Sequence, residues 1–174
     1  MRKALYLLAA ISDRDFDWLL QVGKHQTLVA GSTLITEGQP ISALYIVLEG
    51  TFSVSVGSQG EIARISMGEV LGEISFVDAR PPTATVKAVE PSLVWAIPRT
   101  QLVTKLSQDV SFSSHFYQAI AAFLSDRLRS TVSRLGYNKD FPPSDLEGEG
   151  ELNPNLVAKL DLAKARLEWL LNHS

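Results

Sequence analysis

The residues best suited to chemistry lie in Gly72-Glu73-Ile74-Ser75-Phe76 and the run Val77-Asp78-Ala79-Arg80-Pro81-Pro82-Thr83-Ala84-Thr85. A Gly-Glu pair turns the chain off a strand and into a short helix. The first backbone N–H groups of such a helix, here those of Ile74 and Ser75, lack intrahelical partners and can receive a phosphate or carboxylate. Glu73 either accepts a hydrogen bond from a sugar hydroxyl or bonds backbone within its own turn. Ser75 has no base within sequence reach, so it reads as a cap or a ligand donor. Pro82-Thr83-Ala84 brings the chain back to the next strand, where Thr83 can donate to a phosphate oxygen. This pattern suits capture of a small anion, not bond breaking.

Other chemistries find little support. The 174 residues include no cysteine, which excludes a disulfide framework, thiolate metal ligands and a thiol nucleophile. His25, His115 and His173 are far apart and form no metal-ligand spacing, so a metal-dependent barrel enzyme is not expected. Neither a Gly-x-Ser-x-Gly elbow nor a Walker-type loop is present. The expectation is a non-catalytic protein with no metal and no cofactor. The net charge of −3 excludes a generic nucleic-acid or membrane-surface binder. Residues 1–136 carry 12 basic and 12 acidic side chains, whereas residues 137–174 carry 4 and 7, so the whole imbalance lies in the last fifth.

The elements that must position these residues follow from periodicity. Arg2 and Lys3 precede the apolar run Leu5 to Ile11, which loosely resembles a secretory leader. That run is too short and ends in Ser12-Asp13-Arg14-Asp15 without a cleavage site, so a short helix packed on the domain is expected, in a soluble, cytoplasmic chain. Ser12 caps a second helix with Phe16, Leu19 and Leu20 on its apolar side, and Gly23 stops it. From His25 to Pro98, short β-prone runs alternate with Gly31, Gly38, Gly50, Gly57, Gly60, Gly68 and the Pro81-Pro82 pair, which predicts an antiparallel sandwich or barrel. Phe52 to Val56 alternates strictly, predicting one buried and one wet face. A short helix over 99–106 precedes a long one over 109–135, rich in Phe112, Phe116, Ile120, Phe123, Leu124 and Leu128, with Gly136 as its stop. Residues 137–153 read as an acidic linker. Asn153-Pro154 opens a final amphipathic helix over 154–171, its stripe made by Leu156, Leu160, Ala163, Leu167 and Leu170.

Over roughly residues 5–136 the chain resembles the cyclic nucleotide-binding domain family, the β-roll of the catabolite activator protein and of protein kinase A regulatory subunits. The resemblance rests on Gly31-Ser32-Thr33-Leu34-Ile35-Thr36-Glu37-Gly38, Leu44 to Gly50, and Gly68-Glu69-Val70-Leu71-Gly72-Glu73. It implies a mainly β fold with flanking helices: an eight-stranded, jelly-roll-like double-stranded β-helix with a long C-terminal helix. The implied function is regulation through binding of cyclic AMP, cyclic GMP or another small anion. The implied ligand site comprises Gly72, Glu73, Ile74, Ser75, Arg80, Pro82, Thr83 and Ala84.

One position departs from the family pattern. Where the family has Pro-Arg, with the arginine pairing to the cyclic phosphate, this chain has Pro81-Pro82. A hydrogen bond to a charged group contributes roughly 1.5–3 kcal/mol, or about ten- to more than hundredfold in affinity. Arg80 either folds back over the site or is a solvated loop residue. The rival reading is therefore a family member that serves as a dimerisation or docking scaffold and binds no nucleotide. The resemblance also implies a homodimer through the long helix, over residues 116–135, with output to an effector protein. Transcription factors of the family carry a helix-turn-helix after this helix. The 38 residues after Gly136 are acidic and contain one helix, so direct DNA binding is not expected.

Overall fold

A computed structural model describes residues 3–134 and 154–173. Leu135, Gly136 and the expected acidic linker lie outside the described residues. Helices α1 (Lys3–Ala10) and α2 (Asp13–Val22) precede eight strands: β1 (Lys24–Leu28), β2 (Thr33–Ile35), β3 (Ala43–Glu49), β4 (Phe52–Val56), β5 (Gly60–Ile65), β6 (Val70–Leu71), β7 (Thr85–Ala88) and β8 (Ser92–Pro98). A single short turn of helix over Glu73–Phe76 interrupts the strands between β6 and β7. Helices α3 (Arg99–Gln108), α4 (Val110–Arg134), α5 (Pro154–Val157) and α6 (Leu160–Asn172) follow. The fold is the antiparallel sandwich that the glycine-punctuated pattern predicts, in the β-roll form with flanking helices that the family resemblance implies.

The strands form two four-stranded sheets, ordered β1-β8-β3-β6 and β2-β7-β4-β5. Successive side chains of a strand point to opposite faces, so the inner strands β3 and β8 feed two cores. Tyr45, Val47, Val94 and Ala96 pack between the sheets with Phe52 and Val86. Leu44, Ile46, Leu48, Trp95 and Ile97 point the other way, into a core shared with the helices. That is why six consecutive residues of β3 are buried. Phe52 to Val56 departs from its predicted alternation: Phe52 is buried, but Ser53 to Val56 are all half-buried. Strand β4 pairs on one side with β5, whose residues are nearly all exposed, so the outer end of this sheet offers little cover to either face.

The helices behave as their caps dictate. The Ser12 hydroxyl accepts from the Asp15 N–H at 3.1 Å, and the Gly23 N–H closes α2 onto the Leu19 carbonyl at 3.0 Å. Helix α1 is buried along almost its whole length against the roll and α4. Its Ala4 N–H donates to the Gly68 carbonyl at 3.0 Å, and its Tyr6 hydroxyl donates to Asp126 of α4. The single final helix predicted over 154–171 is divided at Ala158-Lys159 into α5 and α6. Its stripe still faces the domain, with Leu156, Ala163, Leu167 and Leu170 buried.

Arg166 of α6 is only 5 % exposed, although it carries a charge. Its guanidinium donates to the carbonyls of Leu8 (2.5 Å) and Ile11 (2.8 Å) and to Asp13 (2.6 Å), and lies over the Phe16 ring. Leu8 lies in the last turn of α1, whose carbonyls lack intrahelical donors, and Ile11 directly follows it, so a cation from α6 supplies donors where α1 ends.

Candidate ligand-binding site

Gly72, between β6 and the short turn, has φ of +87°, and a Cβ there would meet the Ala43 carbonyl oxygen at 3.0 Å. An L side chain is disfavoured by both the conformation and the space. This reversal starts the Glu73–Phe76 turn, and the chain then runs through an exposed loop to Pro81-Pro82 and β7. The Gly38 N–H donates to the Pro82 carbonyl at 2.9 Å, and the Glu37 N–H to the Thr85 hydroxyl at 3.0 Å. The β2–β3 loop thereby latches onto the returning segment.

Between these segments lies a cleft of about 340 Å³. All eight residues selected from the sequence, Gly72, Glu73, Ile74, Ser75, Arg80, Pro82, Thr83 and Ala84, line it. Much of the remaining wall is apolar, from Ile35, Ile41, Leu71, Pro81 and Val86.

The polar side chains are committed to other partners. Glu73 is 5 % exposed, and its carboxylate accepts from Lys3 Nζ of α1 at 3.4 Å; the same ammonium lies 3.6 Å from Glu69. The backbone bond weighed for Glu73 is thus replaced by an ion pair. The Ser75 hydroxyl donates to the Gly72 carbonyl at 2.8 Å and accepts from Arg99 at 2.6 Å. Arg99 also donates to the Ser75 carbonyl at 3.1 Å and lies over the Phe76 ring. Arg80 does not fold back. Its guanidinium pairs with Asp78, with Nε to Oδ2 at 2.6 Å, and its side chain is 85 % exposed. Hydrogen bonds from Arg80 hold the Asp78 carboxyl below its ordinary range, and Asp78 in turn raises the Arg80 pKa. Among the described residues, Thr83 offers the cleft a hydroxyl that no neighbouring group takes.

Lys3 and Arg99 were not among the residues selected from the sequence. Lys3 is 70 positions from Glu73, and Arg99 is 24 from Ser75. No spacing rule connects them. The one local signal is that Arg99 opens α3 directly after β8, at the level of the turn it meets.

The turn is joined to the long helix as well. Phe76 packs edge-on against Phe116, and the Tyr117 hydroxyl donates to the Phe76 carbonyl at 3.3 Å. The turn thus touches Arg99 at the start of α3 and Phe116 and Tyr117 in the second turn of α4. No helix among the described residues is long and apolar enough to cross a membrane.

Comparison with known proteins agrees with this architecture. Residues 25–109 match the family model described as the cyclic nucleotide-binding domain. The cAMP-dependent protein kinase regulatory subunit of Mucor circinelloides f. lusitanicus is 22 % identical over 113 residues, covering 65 % of this chain and 26 % of that protein. This chain likewise spans 34 % or 22 % of other curated relatives that it matches. A cyclic nucleotide-binding domain from Methylobacillus flagellatus superposes with a TM-score of 0.64 at 21 % identity, covering 77 % of this chain and 81 % of that one. The Thermus thermophilus catabolite activator protein gives 0.60 at 23 %, covering 75 % and 61 %. The match over the roll, the two-sheet topology and the cleft at its Gly-Glu turn lead to one assignment: residues 25–109 form a domain of the cyclic nucleotide-binding type.

Proposed function

We propose that this domain is a non-catalytic regulatory module, in which a small ligand enters the cleft at residues 72–75 and 80–84 and changes the pose of α3 and α4. The observation that carries this reading is the continuous set of contacts from cleft to helices: Arg99 on Ser75, and Phe116 and Tyr117 on Phe76. A ligand that moves the turn favours one helix pose by its differential affinity for the two. Output then passes to an effector protein through the helices. Cyclic AMP and cyclic GMP are the first ligands to test, because the family name brings them forward. Another small anion is the next class of ligand to test.

Pro82 supports the rival scaffold reading, because a phosphate in the cleft would meet proline where the family places its arginine. One experiment separates the two. Cyclic AMP and cyclic GMP are titrated by calorimetry into the wild-type chain and Pro82→Arg, and amide hydrogen exchange is followed over residues 99–134. Pro82→Arg should bind about ten- to a hundredfold more tightly than wild type, with altered protection in α3 and α4. Adding Arg99→Ala should preserve binding and abolish the helix response. Binding with no change in the helices would sink the signalling step. No binding by Pro82→Arg would favour the scaffold.

A further inference from the structure

We infer that the natural occupant of the cleft is an uncharged, largely apolar small molecule with one hydrogen-bonding group; this rests on the proposal that the cleft is a ligand site. The wall is built from Ile35, Ile41, Leu71, Ile74, Pro82 and Val86, with further apolar residues beside them. A ligand site draws affinity from such a surface and orientation from a few polar groups. Here nearly all the polar side chains are neutralised within the protein. Glu73 faces Lys3, Asp78 faces Arg80, and the Ser75 hydroxyl is held by Arg99 and the Gly72 carbonyl. The two ion pairs each bring one positive and one negative group, and Arg99, which holds Ser75, is not part of the cleft lining, so the lining side chains give the cleft no excess charge for an anion.

A sugar hydroxyl would have to draw Glu73 away from Lys3, exposing a buried carboxylate to an imperfect partner. A cyclic phosphate would be desolvated against Pro81-Pro82 with no cation facing it, since Arg80 is turned outward onto Asp78. An uncharged apolar compound incurs neither cost. It covers the aliphatic wall, and the uncommitted Thr83 hydroxyl takes its one polar group. Specificity in this chain therefore comes from shape and a single hydrogen bond, with the ion pairs acting to exclude charged competitors.

The test uses the full chain and N-phenyl-1-naphthylamine, a neutral aromatic amine whose fluorescence rises in apolar surroundings. The wild type should bind it saturably at one site per chain, and millimolar cyclic AMP or cyclic GMP should not displace it. Ala84→Phe fills the cleft, and Ile41→Glu places a charge on its wall. Each should weaken probe binding by about tenfold or more while circular dichroism stays unchanged. Two variants guard against one failing to fold. In Pro82→Arg, cyclic AMP should become a competitor. Displacement of the probe from the wild type by micromolar cyclic nucleotide would overturn the apolar-ligand inference and leave the ligand-site reading intact. Equal probe binding by wild type and both folded cleft variants, with no nucleotide competition even in Pro82→Arg, would overturn the ligand-site reading itself.

Discussion

Lys3 and Arg99 decide how the polar groups of the cleft are used. By pairing with Glu73 and Ser75 they turn an apparently anion-seeking motif into a largely self-satisfied one. A third cation, Lys105, shows the same economy away from the cleft. Its ammonium bonds Asp109 at 2.8 Å and Asp15 at 3.2 Å, and lies over the rings of Trp18 and Phe112. Burial acts to lower the Lys105 pKa, but the two carboxylates outweigh it and raise the value. The bond from Lys105, helped by the Phe112 N–H, holds the Asp109 carboxyl below the ordinary value of 3.8. A depressed carboxyl contributes stability above its unfolded pKa and loses it as pH falls through the folded one. Asp109→Asn should therefore lower Tm at pH 7, and its deficit should shrink as the pH falls below 3.8. Calorimetric Tm measured over a pH series checks this; parallel curves for variant and wild type would refute it.

At the scale of elements, the most informative contact is the capping of α1 by α6. The stripe Leu156, Ala163, Leu167 and Leu170 was legible in the sequence because 4-3-4-3 spacing can only make one helical face. That the stripe covers its own domain was not, since a partner could have covered it equally well. Arg166 is the discriminating residue: it bonds Leu8 and Ile11 across more than 150 positions. Hydrogen bonds from charged donors contribute roughly 1.5–3 kcal/mol each. Arg166→Met keeps much of the packing but leaves those carbonyls without a donor, so a loss on the order of 3 kcal/mol is expected. Urea unfolding measures it, and limited proteolysis should show α6 released first. A loss below about 0.5 kcal/mol, typical of surface substitutions, would mean that the capping contributes little.

For the molecule as a whole, α4 presents apolar side chains on two sides. Phe112, Phe116, Ile120 and Phe123 face the roll and are buried, while Tyr117, Leu128 and Val132 face outward, Leu128 being 65 % exposed. An apolar face left over after the domain has closed its own core suits a symmetric partner, and a two-fold pairing of α4 helices would cover it on both chains. Sedimentation should give a dimer for the wild type and a monomer for Leu128→Asp, with monomer stability changed by no more than about 0.5 kcal/mol. A wild type that sediments as a monomer at all concentrations would rule out this assembly. The described parts of the tail add no DNA-reading pair of helices, because α6 is spent on α1 and α2.

Beyond what the family resemblance implies, namely the roll and a proline where the family has its arginine, the amino-acid order alone determined the element types, an antiparallel sandwich or barrel of short strands, and the Gly-Glu turn. These are local properties: periodicity, caps, and a glycine where φ must be positive act over a few neighbouring residues. The two-residue strand β6 was hidden inside a motif, since two residues display no alternation. Only the tertiary structure decided which charge meets which. Lys3 reaches Glu73, Arg99 reaches Ser75, Arg80 turns to Asp78, and Arg166 is buried under α1. Three of these four partners are distant in sequence, and a charged side chain reaches several candidates until packing removes the water and leaves one. The character of the cleft, mostly apolar with its charges cancelled, belongs to that second group of facts.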